Sequence, residues 1–214
     1  MSDDPTGSAT PADFWDEMYR SGQFPPDATP SELLTAWIDA LPVGRALDVG
    51  AGVGLNTSVL VDAGFAVDAI DVSTEALSRA RERVDDDSVT WIEGDVSTPE
   101  QPPSQEYDVI LMSQFPDLGI LRTLKDALAD GGYLLYEHHL QTTDPVTRGP
   151  TDDEVPHADA HRVRSNELLR AGLDLTVIHY RERTREHGDG DRAAIAELVA
   201  RDTHGGKQSY PAVE

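Results

Sequence analysis

The fold is decided by one stretch of sequence, Arg45-Ala46-Leu47-Asp48-Val49-Gly50-Ala51-Gly52-Val53-Gly54-Leu55-Asn56. Its first residues are mostly apolar, which predicts a short, buried parallel strand. The three glycines that follow predict a loop with almost no side chains, because glycine accepts positive φ and lets a ligand approach the backbone. A helix is predicted from about Leu55, and its free N–H groups favour an anionic group beside the loop.

The residues after this helix predict a second strand. Gly64 stands where a left-handed helix end needs glycine, and the next strand, Val67-Asp68-Ala69-Ile70, closes at Asp71. An acidic residue about 20 positions after such glycines accepts hydrogen bonds from ribose hydroxyls. The order strand, glycine loop, helix, strand therefore predicts an α/β chain with a doubly wound sheet that binds a cofactor containing ribose.

Two classes of cofactor use this arrangement. A dinucleotide site requires the spacing G-x-G-x-x-G, whereas the glycines here are Gly50, Gly52 and Gly54, and Leu55 stands at the sixth position. An NAD-dependent oxidoreductase therefore remains an alternative that Leu55 disfavours. A second alternative is a protein of the same fold that binds its cofactor without catalysis.

The string D-x-G-x-G-x-G that begins at Asp48, with Asp71 at the next strand end, resembles motif I of class I S-adenosylmethionine (SAM) methyltransferases. The string L-x-x-G-G-x-L-L over residues 128–135 resembles the same family. The resemblance implies a Rossmann-like sheet of seven strands, mostly parallel, with a C-terminal antiparallel hairpin. It implies SAM as cofactor and in-line methyl transfer to a small-molecule acceptor. The nearest subgroup is the small, single-domain type that includes tellurite-resistance and thiopurine-like methyltransferases.

The resemblance also implies which residues contact the cofactor. The glycine loop passes the methionyl part, Asp71 binds the ribose, and Asp95 and Val96 contact the adenine. Ser113 and Gln114 follow a predicted strand, and ligands bind at the carboxyl ends of such strands. The complete set of expected cofactor contacts is Trp15, Tyr19, Asp48, Gly50, Ala51, Gly52, Asn56, Asp71, Val72, Asp95, Val96, Ser113 and Gln114.

An aromatic cluster lies near the N-terminus, in the predicted helix 12–20. Phe14, Trp15, Met18 and Tyr19 share one helical face, and Asp13 is the expected cap. Such a face is typical of a helix docked on the core. In the methyltransferases that this chain resembles, an N-terminal Trp and Tyr segment covers the pocket, which makes residues 12–42 a candidate lid.

Three side chains are candidate catalytic groups. His138 and His139 end a predicted strand on the cofactor side, and neutral imidazole suits a general base near pH 7. Tyr19 is the second choice, and a structural role for both histidines remains open. A base is needed only where the acceptor loses a proton. The loop histidines His157 and His161 are expected to be exposed, and no metal is expected.

The remaining elements follow from local signals. A helix is expected after Thr29 as cap and Pro30 in its first turn, and another over Ile120–Ala129 with a turn at Asp130–Gly132. Residues 173–183 and 192–201 alternate like the strands of a hairpin. The expected organisation is a disordered N-terminus over 1–11, one domain over 12–202 and a loose tail over 203–214.

Composition narrows the class of partner. The 214 residues hold 40 acidic side chains against 17 Lys and Arg, a formal net charge of −23. Such a surface repels nucleic acid and anionic membranes, so neither is an expected partner. The charge is spread along the chain and suggests a halophilic source, because molar salt shortens the Debye length to about 3 Å. The chain has no cysteine, no signal sequence and no long apolar run, so it is expected to be cytoplasmic.

Overall fold

A computed structural model describes residues 10–22, 24, 28–98, 105–149, 161–186, 190–203 and 210. The strands within these residues are β1 Arg45–Val49, β2 Ala66–Asp71, β3 Val89–Glu93, β4 Tyr107–Ser113, β5 Leu128–His139, β6 Thr176–Glu186 and β7 Arg192–Arg201. The α-helices are α1 Pro11–Arg20, α2 Glu32–Trp37, α3 Leu55–Asp62, α4 Thr74–Arg83, α5 Leu121–Asp126 and α6 Glu167–Ala171. Short 3₁₀ turns follow α2 and precede α5.

The seven strands form one sheet in the order β3-β2-β1-β4-β5-β7-β6. β1 is parallel to both β2 and β4, and β7 is antiparallel to β5 and β6. This confirms the predicted α/β fold with a C-terminal antiparallel hairpin. The strand order reverses between β1 and β4, and the carboxyl ends of the strands at such a point flank the ligand crevice in doubly wound sheets.

Apolar residues on both faces of the sheet form the core. Alternate residues of the central strands pack against α2 and α3 on one face, where Leu34 and Leu60 are fully buried. The other residues pack against α5 and α6, where Leu124 and Leu168 are fully buried. Because both faces are covered, the central strands are apolar along nearly their whole length, and polar side chains concentrate at the carboxyl edge of the sheet.

The first helix begins earlier than predicted. Thr10 caps α1, accepting a hydrogen bond from the Asp13 N–H, and the Asp13 carboxylate accepts from the Thr10 N–H at 3.0 Å. Asp13 is therefore the third helical residue of a capping box and not the cap itself. Of the N-terminus expected to be disordered, residues 1–9 lie outside the described residues, whereas Thr10 and Pro11 form the start of α1.

The cap of α2 also differs from the prediction. Ser31, not Thr29, is the cap, and its hydroxyl accepts a hydrogen bond from the Leu34 N–H at 3.2 Å. The Ser31 N–H donates to the side-chain carbonyl of Asn56 at 2.8 Å. This tertiary contact holds Ser31 at the turn, so it overrides the local signal at Thr29 and Pro30.

The region between α5 and β5 was predicted wrongly. α5 ends at Asp126, and the expected turn at Asp130–Gly132 lies inside β5. Leu128 already pairs with Tyr107 of β4, and the register then shifts. A Cβ on Gly132 would lie 2.8 Å from the carbonyl oxygen of Tyr107, so this glycine serves close backbone approach between strands rather than a helix end.

The C-terminal hairpin is displaced by three residues at its first strand. β6 covers Thr176–Glu186 where residues 173–183 were expected, whereas β7 has the expected bounds. The tail prediction falls on residues of which 204–209 and 211–214 lie outside the described set. None of the described helices is long and apolar enough to cross a lipid bilayer.

Candidate active site

The glycine loop between β1 and α3 adopts a left-handed backbone at each glycine. Gly50, Gly52 and Gly54 have φ values of +69°, +53° and +78°. The N–H groups of Gly50 and Ala51 donate to the carbonyl of Ile70 at 2.9 and 3.0 Å. The loop therefore crosses the carboxyl end of β2, in a conformation that residues with a Cβ adopt only at a cost.

Asp71 fastens this loop to the end of β2. One carboxylate oxygen accepts from the Gly52 N–H at 2.8 Å, and the other accepts from the Ser73 N–H at 2.8 Å. Burial raises the pKa of Asp71, while these N–H groups oppose the rise. A carboxylate oxygen has two lone pairs, so Asp71 retains acceptor capacity beside the loop, as its predicted role requires.

Two aromatic rings lie directly over the glycines. A Cβ on Gly50 would lie 2.9 Å from the ring of Phe115, and one on Gly52 would lie 2.8 Å from the hydroxyl of Tyr19. Phe115 follows β4, and Tyr19 belongs to α1. The backbone of the loop is thus bare on the side that faces these rings, and α1 closes that side in this conformation.

Asp48 lies beneath the loop and is almost fully buried. It is 1% exposed, and one oxygen accepts from the Thr57 hydroxyl at 2.6 Å. Its other oxygen is buried without a hydrogen-bond partner among the described residues. Burial raises the pKa of Asp48 to about 6. No motif in the sequence pointed to Thr57, whose hydroxyl holds this carboxylate.

Asp16 of α1 is another residue of the site region that no sequence motif indicated. It accepts from the hydroxyls of Ser73 and Thr74 at 2.6 and 3.1 Å and from the Glu75 N–H at 3.1 Å. Asp16 thereby caps the first turn of α4, where an anion is stabilised. These bonds hold α1 over the glycine loop and place Tyr19 there.

We expect Asp16→Ala to loosen α1 by about 1–3 kcal/mol, because the variant loses hydrogen bonds to a charged group. Hydrogen exchange of the amides in Pro11–Arg20 measures this local opening. Glu17→Gln is the matched control, since Glu17 lies on the exposed side and pairs with Arg20 at 3.1 Å. Equal exchange rates in the two variants would show that Asp16 does not hold the helix.

Several other predicted cofactor residues have structural contacts in this conformation. Asn56 holds the start of α2 through Ser31, and Asp95 accepts from the Ser97 N–H at 2.9 Å in a turn. Val96 is buried in the core beside β4. Val72 is half-buried between β2 and α4, and the exposed Trp15 lies with its ring centroid 6.4 Å from that of Tyr19.

The carboxyl end of β4 carries the last two predicted contacts. Ser113 is half-buried and pairs in register with Glu137 of β5. Gln114 has a φ of +58°, unusual for a residue with a side chain, and its N–H donates to the Glu137 carbonyl at 2.9 Å. Strained backbone of this kind clusters at functional sites, and here it turns the chain toward Phe115.

A cavity of about 290 Å³ opens beyond the carboxyl ends of β4 and β5. The residues that line it are Pro116, Leu118, His138, Gln141, His161, Arg162, Val163, Arg164 and Glu167. Pro116 follows Phe115, so one short segment separates this cavity from the glycine loop. His138 therefore lines this cavity, whereas His139, the next residue of β5, is not part of the lining.

The ring of His138 has a defined tautomer. Its Nδ1 lies 3.2 Å from the carbonyl oxygen of His139, and a carbonyl only accepts, so Nδ1 carries the proton. Burial lowers the pKa of His138 to about 4, which keeps the imidazole neutral at pH 7. Nε2 therefore holds a lone pair, and it makes no hydrogen bond within the described residues.

Within the described residues, no group of three or more His, Asp or Glu side chains is arranged to hold a metal ion. His161 is half-buried at the cavity, which differs from the exposed position expected for it. His157 lies outside the described residues.

Comparison with known proteins gives a family match and a set of similar folds. A family model described as a methyltransferase domain matches residues 46–132. TehB from Haemophilus influenzae is 20% identical, with a TM-score of 0.67 over 88% of this chain and 67% of that chain. The N-methyltransferase NodS from Bradyrhizobium japonicum, solved with S-adenosylhomocysteine, is 17% identical, with a TM-score of 0.63 over 89% of this chain and 99% of that chain.

A SAM-dependent methyltransferase from Mesorhizobium loti is 21% identical, with a TM-score of 0.61 over 80% of this chain and 98% of that chain. No curated protein matches the sequence. At these identities the solved structures show the fold, and the family model matches the part of the chain from β1 to the start of β5. The predicted resemblance is thereby confirmed at the level of the match and the fold: residues 46–132 match a methyltransferase domain, and the chain has the fold of SAM-dependent methyltransferases.

Proposed function

We propose that this protein transfers a methyl group from SAM to a small-molecule acceptor. The observation that carries the proposal is the bare left-handed loop at Gly50–Gly52, fastened by Asp71 at the carboxyl edge of the sheet. A Cβ on Gly50 or Gly52 would collide with the ring of Phe115 or the hydroxyl of Tyr19, so the bare backbone is what lets other groups lie directly against this loop. The match to a methyltransferase domain supports the reaction class.

The chain's own residues would hold the cofactor in three places. Backbone N–H groups of the glycine loop would contact the methionyl part, and Asp71 would accept hydrogen bonds from the ribose. Asp95 and Val96 would contact the adenine after β3. The proposed set is completed by Trp15, Tyr19, Asp48, Asn56, Val72, Ser113 and Gln114. SAM supplies the activated methyl group when bound, and the protein supplies proximity and alignment.

Tyr19 is proposed to close the site as part of a lid. Its ring is buried against Phe24, with centroids 4.9 Å apart, and its hydroxyl lies beside Gly52. A ligand at the glycine loop needs the space over Gly52, so α1 would shift as the cofactor enters. Closure by loops or helices then excludes water from the reacting groups.

The acceptor is proposed to bind in the cavity beside Phe115. Its volume of about 290 Å³ is near the lower end of ligand pockets, which suits a small molecule. His138 is the proposed base for an acceptor that must lose a proton, because its Nε2 is unprotonated. His139 and Tyr19 are second choices, since neither lines the cavity. The net charge of −23 disfavours nucleic acid as the acceptor.

Calorimetric titration with SAM, S-adenosylhomocysteine and NADH tests the proposal. We expect SAM and S-adenosylhomocysteine to bind and NADH not to bind, because Leu55 stands where a dinucleotide site requires its third glycine. Asp71→Ala is expected to weaken SAM binding by about 1–3 kcal/mol, the effect of losing a buried hydrogen-bond partner. Asp62→Ala, an exposed carboxylate at the end of α3, is the matched control.

Three outcomes separate the alternatives. Unchanged SAM affinity in Asp71→Ala would remove Asp71 from the site. Binding of NADH in place of SAM would support an oxidoreductase. Binding of SAM without methyl transfer to any member of an acceptor panel would support a non-catalytic protein of this fold.

A further inference from the structure

The cavity beside His138 has a charge balance opposite to that of the chain. Acidic residues outnumber Lys and Arg by 40 to 17 in the sequence. Four of the five titratable residues that line the cavity are nevertheless His or Arg: His138, His161, Arg162 and Arg164, against the single acid Glu167. Because His138 is neutral at pH 7, the positive charges at the cavity are those of Arg162 and Arg164, and they outnumber the single carboxylate of Glu167.

Two of these side chains act on His138 through their charge. Arg162 and His161 both lower the pKa of His138, in addition to the larger effect of its burial. Like charges disfavour protonation of the ring. Together with the two arginines in the lining, this favours a negative charge in the cavity over a further positive one.

The single acid at the cavity has a hydrogen-bond partner in the backbone. Glu167 accepts from the Arg164 N–H at 2.7 Å. The side chain of Arg164 is exposed and forms no ion pair within the described part of the chain. Its guanidinium is therefore available to a ligand, with donors whose planar arrangement matches a carboxylate.

We propose that the methyl acceptor carries a carboxylate, which Arg164 binds at the rim of this cavity while the acceptor's apolar body lies against Pro116, Leu118 and Val163. The identification of the ligand as the acceptor rests on the proposed function, whereas the preference for an anion does not. These three apolar residues are among those that line the cavity, so the cavity offers apolar contacts as well as the guanidinium of Arg164. This combination fits a small aromatic or aliphatic acid.

A bound carboxylate would also improve His138 as a base. An opposite charge nearby favours the protonated ring, so binding moves the pKa of His138 up from about 4. A general base is most effective when its pKa is close to the working pH. The anion would thus offset the effect of Arg162 and His161 at the moment when a proton must be accepted.

Salicylate and salicylamide form the test pair, because they have nearly the same shape and differ in charge. Each probe is titrated into the wild-type protein without SAM. The NMR shifts of the amides in 161–164 and of the His138 ring then report binding in the cavity. We expect salicylate to bind at least about tenfold more tightly, a difference of about 1.4 kcal/mol. The overall negative charge opposes salicylate, so the measured preference is a lower bound on the local effect.

Arg164→Gln should remove this preference, and Arg81→Gln should keep it, since Arg81 is an exposed residue of α4. Circular dichroism confirms that both variants fold. Saturation with salicylate should also raise the pKa of the His138 ring. If Arg164 had only a structural role, salicylate would not change this pKa. Equal affinities for the two probes, absence of binding by both, shifts outside the cavity, or an unchanged preference in Arg164→Gln would each overturn the proposal.

The test of SAM binding and the test of anion preference can fail independently of each other. Salicylate preference without SAM binding would leave an anion site in a protein that is not a SAM-dependent enzyme. SAM binding without salicylate preference would leave the methyltransferase and remove only the acidic acceptor.

Discussion

Gly52→Ala is expected to destabilise the protein by about 2–5 kcal/mol and to weaken SAM binding at least about tenfold. Two costs combine at this position. The backbone of Gly52 has a φ of +53°, and a Cβ there would lie 2.8 Å from the Tyr19 hydroxyl. The first cost is left-handed strain, and the second is displacement of Tyr19 together with the loss of space over the loop. Urea denaturation and calorimetry measure the two effects.

Gly131→Ala separates these two costs. Gly131 has a φ of +82°, but a Cβ there has no atom within 4 Å among the described residues. We expect this control to lose about 1–2 kcal/mol of stability from strain alone and to keep its SAM affinity. If both variants bind SAM as the wild type does, the bare loop is not the cofactor site.

Asp48→Asn is expected to stabilise the protein by about 3 kcal/mol at pH 7, at about 1.4 kcal/mol per pKa unit. Asp48 is buried, and only one of its oxygens has a partner, the Thr57 hydroxyl. The ionised form is therefore poorly solvated, which raises its pKa to about 6. An asparagine keeps an acceptor for Thr57 and removes the buried charge.

The contribution of Asp48 to the free energy of unfolding changes with pH in one direction. In the unfolded chain an aspartate titrates near pH 3.9, so between about pH 4 and 6 the folded state binds more protons than the unfolded state. The free energy of unfolding then falls as the pH rises through this window. The difference in the free energy of unfolding between Asp48→Asn and the wild type should grow from near zero at pH 4 to its full value at pH 7. Urea denaturation at each pH measures it.

Asp68→Asn is the matched control on the neighbouring strand. Asp68 is 4% exposed but accepts hydrogen bonds from Arg45 at 3.0 Å and from the Tyr107 hydroxyl at 2.9 Å. An asparagine would weaken these hydrogen bonds by removing the charge on the acceptor, so this variant should be less stable than the wild type at pH 7. A destabilised Asp48→Asn at that pH would contradict the account of Asp48.

The backbone of the candidate site could be predicted because its signals are local. Glycines that alternate after a strand require a left-handed loop, and Asp71 at the next strand end lies within 20 residues of Gly52 in sequence. The parallel sheet then follows from the alternation of strands and helices. These features depend on residue type and spacing, which one sequence contains.

The side-chain partners could not be predicted because they depend on contacts that spacing does not encode. Asp16 and Ser73 meet across 57 positions of sequence, and Ser31 becomes a helix cap because Asn56 holds it. The wrong end of α5 and the wrong turn at Asp130–Gly132 have the same cause, since Leu128 pairs with β4 before the glycines that resemble a turn. Tertiary contacts overrode local propensity at each of these positions.

The two outermost strands bear on how the protein behaves when concentrated. β3 has only five residues, and β6 carries Arg181, Glu182, Arg183, Arg185 and Glu186 along its second half. Unpaired backbone at a sheet margin recruits strands from other molecules unless it is short or charged. Both margins of this sheet meet that condition, so the fold resists polymerisation through strand exchange even when salt screens its net charge.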